Sequence, residues 1–207
     1  METEDYMMKF KNGYTLAEVL VVLALLGILA AILLPAIMQI KPNKNKSMFK
    51  KAYYVAERIV FELVNDDDLY PLVEGNTVGF DNTVIVPYNG STYEGTTKFC
   101  ELFADKINTV SNASNCVADN AVPTGGGTYK TPTFVSTDGV AWYIPISNFS
   151  ATQTIYVDTN NEQKPNCEYN STSCKDPDIF RIKVQPDGKM YVDGTKEVEY
   201  LQSGKLQ

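Results

Sequence analysis

The residue best placed to do chemistry is Glu18, a carboxylate just inside the start of an apolar run. From Val19 to Ile40 no side chain is charged, and only Gly27, Pro35 and Gln39 interrupt the run. An ionised group at membrane depth costs at least about 2–3 kcal/mol unless paired, so a Glu there marks a functional position with a partner to be found. The plainer reading is a Glu at the interfacial edge of a helix, held by the positive end of the helix dipole. The chain has no histidine, which excludes Ser-His-Asp, Cys-His and histidine-zinc sites. Its four cysteines, Cys100, Cys116, Cys167 and Cys174, lie in polar sequence beyond the run, where an even count suggests disulfides. Neither close spacing is the C-x2-C of a zinc ribbon. Of the alternative pairings, Cys100 with Cys116 and Cys167 with Cys174 are expected, because each closes within one local unit. Oxygen ligands gather at Asp158, Asn160 and Glu162, then at Asp176 and Asp178. The EF-hand pattern fails there: a loop opening at Asp158 has Gln163 where Gly is required and Tyr169 where Glu is required. The alternative is a disulfide-closed surface loop shaped by turn-forming Asn and Asp. With no nucleophile motif and no convincingly spaced pair of carboxylates, catalysis is not expected and no cofactor is required.

The charge balance is 18 Lys+Arg against 25 Asp+Glu, net −7, with a pI near 4.7. That sign opposes strong nucleic-acid binding. Roughly 20 apolar residues at 1.5 Å each cover the ~30 Å hydrocarbon layer, longer than a secretory signal core. No small-x-small cleavage pattern follows, so the span is expected to remain in the mature protein. Lys9 and Lys11 precede it, but Lys41, Lys44, Lys46, Lys50 and Lys51 follow it, and the positive-inside rule is ambiguous. The cysteines place the region beyond the span outside the cytoplasm.

These groups need elements to position them. Residues 41–46 read as a break, followed by an amphipathic helix from Met48 to Val64 with apolar residues near helical spacing: Met48, Ala52, Val55, Ile59 and Leu63 beside Phe49, Ala56 and Val60. Asp66-Asp67-Asp68 ends it. A second small helix is expected over Lys98–Val110. Strands are expected at Thr83–Val86, Val140–Ile146, Thr154–Val157, Ile179–Val184 and Met190–Val192. The last two flank Pro186-Asp187-Gly188-Lys189, a hairpin signal. The fold class is therefore α+β.

Lys9-Phe10-Lys11-Asn12-Gly13 followed by Tyr14-Thr15-Leu16-Ala17-Glu18 resembles the processing site of the type IV pilin and type II secretion pseudopilin superfamily, over about thirty residues. The resemblance implies a pilin-like fold, a long N-terminal helix packed on a small antiparallel sheet. It divides the chain into a leader (1–13), a transmembrane and filament-core helix (14–40), the amphipathic second half of that helix (41–65) and a globular head (66–207). It also implies cleavage between Gly13 and Tyr14 by a prepilin peptidase, N-methylation of Tyr14, and assembly through Glu18, which pairs with the free N-terminal amine of a neighbouring subunit. Pro35 would permit a helix kink. The implied partners are other pilin or pseudopilin subunits, an inner-membrane platform and a cytoplasmic ATPase. The implied location is the bacterial inner membrane, single-pass with the head outside, and then a filament. Some pseudopilins bind calcium in a C-terminal loop, which extends that reading to the Asp158–Asp178 cluster.

Two departures stand out. Tyr14 replaces the usual Phe or Met, and Met1-Glu2-Thr3-Glu4-Asp5 is acidic where such leaders are basic, so translation is expected to start at Met8 or Met7. The Ile179–Val192 ending leans toward a pseudopilin over a pilus subunit, with a competence-type pilus as a third option. The competing class is a signal-anchored extracytoplasmic binding protein that never forms filaments.

Overall fold

A computed structural model describes residues 15–39, 43–72, 79–110, 115–116, 123, 130–168 and 174–203. The chain divides into two compact units, residues 1–42 and 43–207.

The first unit is one helix, α1 (Leu16–Gln39). Every side chain from Leu16 to Leu34 is exposed, and this 19-residue stretch is long and apolar enough to cross a membrane. At 1.5 Å per residue it is about 28 Å long. The backbone stays helical through Pro35 to Gln39.

The second unit opens with α2 (Lys44–Val64). Asn43 has extended backbone, and its side chain accepts from the Lys46 N–H at 2.9 Å, an N-cap that starts a new helix. The expected second half of one long helix is thus a helix with its own cap. Lys44-Asn45-Lys46, expected in the break, forms its first turn. At the other end the Asn65 side chain donates to the Phe61 carbonyl at 2.7 Å.

Next come β1 (Val86–Tyr88) and β2 (Ser91–Tyr93), a two-stranded hairpin. Its turn is Asn89-Gly90, both at positive φ, the arrangement that matches strand twist. The strand expected at Thr83–Val86 starts three residues later. Asp81 accepts from both the N–H and the hydroxyl of Thr83 (2.8 and 2.6 Å) and holds that segment in a turn. The next helix, α3 (Lys98–Asp105), stops short of the expected Val110. There the chain joins the sheet edge instead, with the Val110 N–H donating to the Val135 carbonyl.

The main sheet is antiparallel and ordered as in the chain: β3 (Phe134–Val135), β4 (Ala141–Tyr143), β5 (Gln153–Asp158), β6 (Ile179–Val184) and β7 (Met190–Tyr191). β6 follows the expected bounds and β5 gains one residue at each end. β4 is shorter than expected, because the Ile144 N–H donates to the Thr133 hydroxyl rather than to a strand. A last helix, α4 (Thr195–Gln202), was not expected.

The core lies between the apolar face of α2 and the sheet. Phe49, Ala56, Ile59, Val60 and Leu63 are fully buried, as are Ile155, Val157, Phe180, Ile182 and Val184. Phe49 stacks on Phe180 at 4.4 Å between centroids. Tyr70, Phe80, Phe99 and Phe149 form a second ring cluster, and Phe103, Phe134 and Trp142 a third. The Pro186–Lys189 turn presses onto α2. Gly188 has φ +81°, and a Cβ there would stand 2.7 Å from Val64 Cγ1, so both backbone and space require glycine.

Two buried charges tie loops to this core. Lys98 is fully buried, donates to the Asp81 and Val84 carbonyls (3.3 and 2.9 Å) and lies 4.2 Å from the centre of the Tyr70 ring. Burial pushes its ammonium down to about 8. Glu197 of α4 is also fully buried and accepts from the Arg181 N–H at 3.0 Å. β7 pairs only with Lys183 and Val184, so the carboxylate covers the β6 edge that β7 leaves open. Burial raises its pKa from 4.5 to about 7. Folding therefore favours the protonated acid. This contribution is intact below about pH 4.5 and is lost as pH rises toward 7. The head is expected to be less stable at about pH 8 than at about pH 5, with Glu197 supplying on the order of 2 kcal/mol of the difference. Thermal unfolding of the wild type and of Glu197→Gln at both pH values checks this: the variant should show a smaller difference.

Candidate functional site

The site at the start of α1 is built from the Thr15-x-x-Glu18 pattern. Thr15 precedes the first helical residue, and its hydroxyl faces the Glu18 N–H at 3.3 Å. Glu18 reaches back, and one carboxylate oxygen accepts from the Thr15 N–H at 2.8 Å and from its hydroxyl at 2.9 Å. This is a capping box, which satisfies donors that a helix start leaves open. Thr15 and Glu18 by themselves therefore hold an acidic group at the head of an apolar helix of membrane-spanning length. Sequence reading had placed Glu18 in the site but had missed Thr15, whose signal is the pattern itself. An accepting oxygen held this way can also receive an amine, because a carboxylate has room for several donors. Gly13 and Tyr14 lie outside the described residues. Pro35 is seventeen residues on, in the last turns of α1.

The other candidate residues belong to the head. Disulfides join Cys100 to Cys116 and Cys167 to Cys174. The first ties α3 to the chain beyond it. The second closes the loop between β5 and β6, where Asp178, fully buried, accepts from the Asn166 and Cys167 N–H groups at 2.8 and 2.7 Å. Asp158 is buried and accepts from the Asn160 N–H at 3.1 Å. Burial, with the charge of Asp178 behind it, pushes Asp158 up to about 7. The Asn160 side chain donates to the Lys164 carbonyl, Glu162 is exposed, and Asp176 accepts from the Asn43 side chain at 3.3 Å. Four of the five oxygen-bearing residues, all but Glu162, are thus engaged in folding the loop and its junction with α2. Among the described residues, no group of three or more Asp, Glu or Cys is placed to hold a metal ion.

Among the described residues α1 is the one helix long and apolar enough to cross a membrane; a carboxylate stands at its head and a disulfide-tied α+β unit follows it in the chain. Residues 8–34 match the family model described as the prokaryotic N-terminal methylation motif, and so carry the type IV pilin and pseudopilin signature. The match takes in the Gly13–Tyr14 junction, Glu18 and most of α1, and none of the head. No curated protein and no solved structure matches the chain. The motif implies processing by a prepilin peptidase and polymerisation of the pilin kind. Proteins that carry it are structural rather than enzymatic.

Proposed function

We propose that this chain is a structural subunit of a type II secretion pseudopilus or a type IV pilus, cut after Gly13, methylated at Tyr14 and polymerised through α1. The observation that carries this reading is the methylation motif at residues 8–34 on a helix whose apolar side chains from Leu16 to Leu34 are all exposed. Such a surface requires lipid or other helices around it. In a filament the Glu18 carboxylate would exchange its Thr15 contact for the new N-terminal amine of a neighbour, so that assembly neutralises both charges. Small residues at helix contacts and van der Waals packing would then replace lipid. A platform in the inner membrane and a cytoplasmic ATPase would drive the process, with the head on the outer side. The hairpin of β6, Asp187-Gly188 and β7 favours the pseudopilin reading over the pilus reading.

Intact-mass and N-terminal peptide mass spectrometry of the protein purified from a host with a prepilin peptidase tests this. A chain beginning at Tyr14 with one added methyl is the expected result. An uncut chain, or one cut beyond α1, would overturn the reading in favour of a signal-anchored extracytoplasmic binding protein.

A further inference from the structure

The lysines beyond α1 are a sequence feature that neither the fold nor the proposed function uses. From residue 19 to residue 56 the chain has no Asp or Glu, and its only charges are Lys41, Lys44, Lys46, Lys50 and Lys51. With the head on the outer side, these lysines work against the positive-inside rule, so topology gains nothing from them.

The structure sorts the four that it describes. Lys51 pairs with Asp138 at 2.9 Å, and Lys50 donates to the Ser203 carbonyl. Lys44 and Lys46 lie in the first turn of α2, which holds no acidic residue. Neither has an ion pair among the described residues. Lys44 is exposed, and the Lys46 ammonium lies 5.7 Å from the centre of the Tyr200 ring. The acidic groups near this turn have cations of their own: Glu199 holds Lys196 at 2.9 Å, and Asp176 has the exposed Lys175 beside it in sequence. Cations at a helix N-terminus also oppose the helix dipole, so the turn is cationic at a cost that its own helix does not offset.

Chain continuity indicates what the turn meets. Lys44 is five residues beyond Gln39, the end of α1, and five residues span at most about 18 Å. With α1 in a bilayer, the headgroup layer is within reach of these side chains and of their field, which extends about 8–10 Å at physiological salt. Residues 65–207 hold ten cationic against nineteen acidic side chains, net −9, and are repelled by an anionic surface.

We propose that the Lys44–Lys46 turn at the start of α2 binds the phosphate headgroups of anionic phospholipids in the membrane that α1 enters. This inference rests on α1 spanning a bilayer and not on filament assembly.

The test reconstitutes the full chain in phosphatidylcholine bilayers. Electron paramagnetic resonance compares the association of spin-labelled phosphatidylglycerol and spin-labelled phosphatidylcholine with the protein. The wild type is expected to prefer phosphatidylglycerol by about fivefold, the contribution of one well-placed lysine. The preference should vanish in Lys44→Gln/Lys46→Gln and in about 1 M NaCl, and persist in Lys44→Arg/Lys46→Arg. Lys189→Gln should also keep it, because that lysine follows the Gly188 turn, which meets Val64 at the other end of α2, about 30 Å away. Equal association of both lipids with the wild type, or a preference that survives Lys44→Gln/Lys46→Gln, would overturn the contact. Displacement of the lipid by inorganic phosphate at constant ionic strength would assign the turn to a soluble anion instead. The Gln variant should unfold at the wild-type temperature or slightly above it, since the cations oppose the dipole; a lower midpoint would show that the lysines serve the fold and would also overturn the proposal. Alkaline extraction of the same bilayers reports on α1 separately: a chain that is released refutes the membrane reading, and a chain that is retained without lipid preference refutes only the contact.

Discussion

Glu18→Ala is expected to leave membrane insertion and cleavage after Gly13 intact and to remove the subunit from filaments. Insertion depends on the apolar length of α1, which the substitution does not shorten. Assembly by the proposed route brings an amine among apolar helices, and without its carboxylate that amine stays buried and unpaired. Breaking such a pair costs about 3–5 kcal/mol, a hundredfold or more in subunit affinity. Immunoblots of sheared filaments against membrane fractions measure the effect. Glu18→Gln separates the two roles of the side chain, because Gln at this position still completes the capping box with Thr15 but carries no charge. If Glu18→Gln assembles normally, the residue is a helix cap and the charge-pairing account fails. If both variants stay in the membrane as processed monomers, the charge is what assembly requires.

Phe180→Ala is expected to destabilise the head by about 3–5 kcal/mol. Phe180 is fully buried on β6, stacks on Phe49 of α2 and meets Tyr200 of α4 at 5.7 Å, so its ring joins both helices to the sheet. Against a typical domain stability of about 5–15 kcal/mol, this loss is large. The unfolding midpoint should fall by roughly 10 °C for a head of this size. Thermal unfolding of the detergent-purified chain, followed by near-ultraviolet circular dichroism, measures it. Tyr191→Ala, at a 39% exposed position on β7, is the control and should shift the midpoint little. An equal shift in both variants would mean that Phe180 is not the junction described.

Local signals made part of this legible without coordinates. The apolar run and the Gly13–Glu18 spacing are contiguous pattern, and the structure adds only the Thr15 partner. The buried face of α2 followed from helical spacing, and β6 with its Asp187-Gly188 turn from β-branched composition and a turn dipeptide. The weak points were short elements held by distant groups. β3 is two residues long and exists because β4 pairs with it. α4, with only Glu197 and Tyr200 buried, is held by contacts to Arg181, Phe180 and Asn43. Lys98 is a charged residue in a small amphipathic helix, and sequence has no sign that two carbonyls from residues 81 and 84 would surround its ammonium. The start of α2 was displaced for a similar reason, since Asn43 can cap a helix or sit in a loop, and the Asp176 and Tyr200 side chains that it meets are over 130 residues away.

The sequence by itself determined the anchor, the methylation motif and the carboxylate at its head, because a membrane-spanning helix satisfies its own backbone and needs only a continuous apolar run to be recognised. Only the tertiary structure decided what the head's polar residues do. Whether Asp178 faces a cation, solvent or the N–H groups of Asn166 and Cys167 depends on how a disulfide loop folds back on β6. Whether Tyr54 and Phe61 belong to the core or to the outside depends on which face of α2 the sheet covers. Those outcomes are set by contacts between residues far apart in the chain, where the gain from burial and hydrogen bonding must exceed the entropy of bringing the segments together, and no local pattern records that balance.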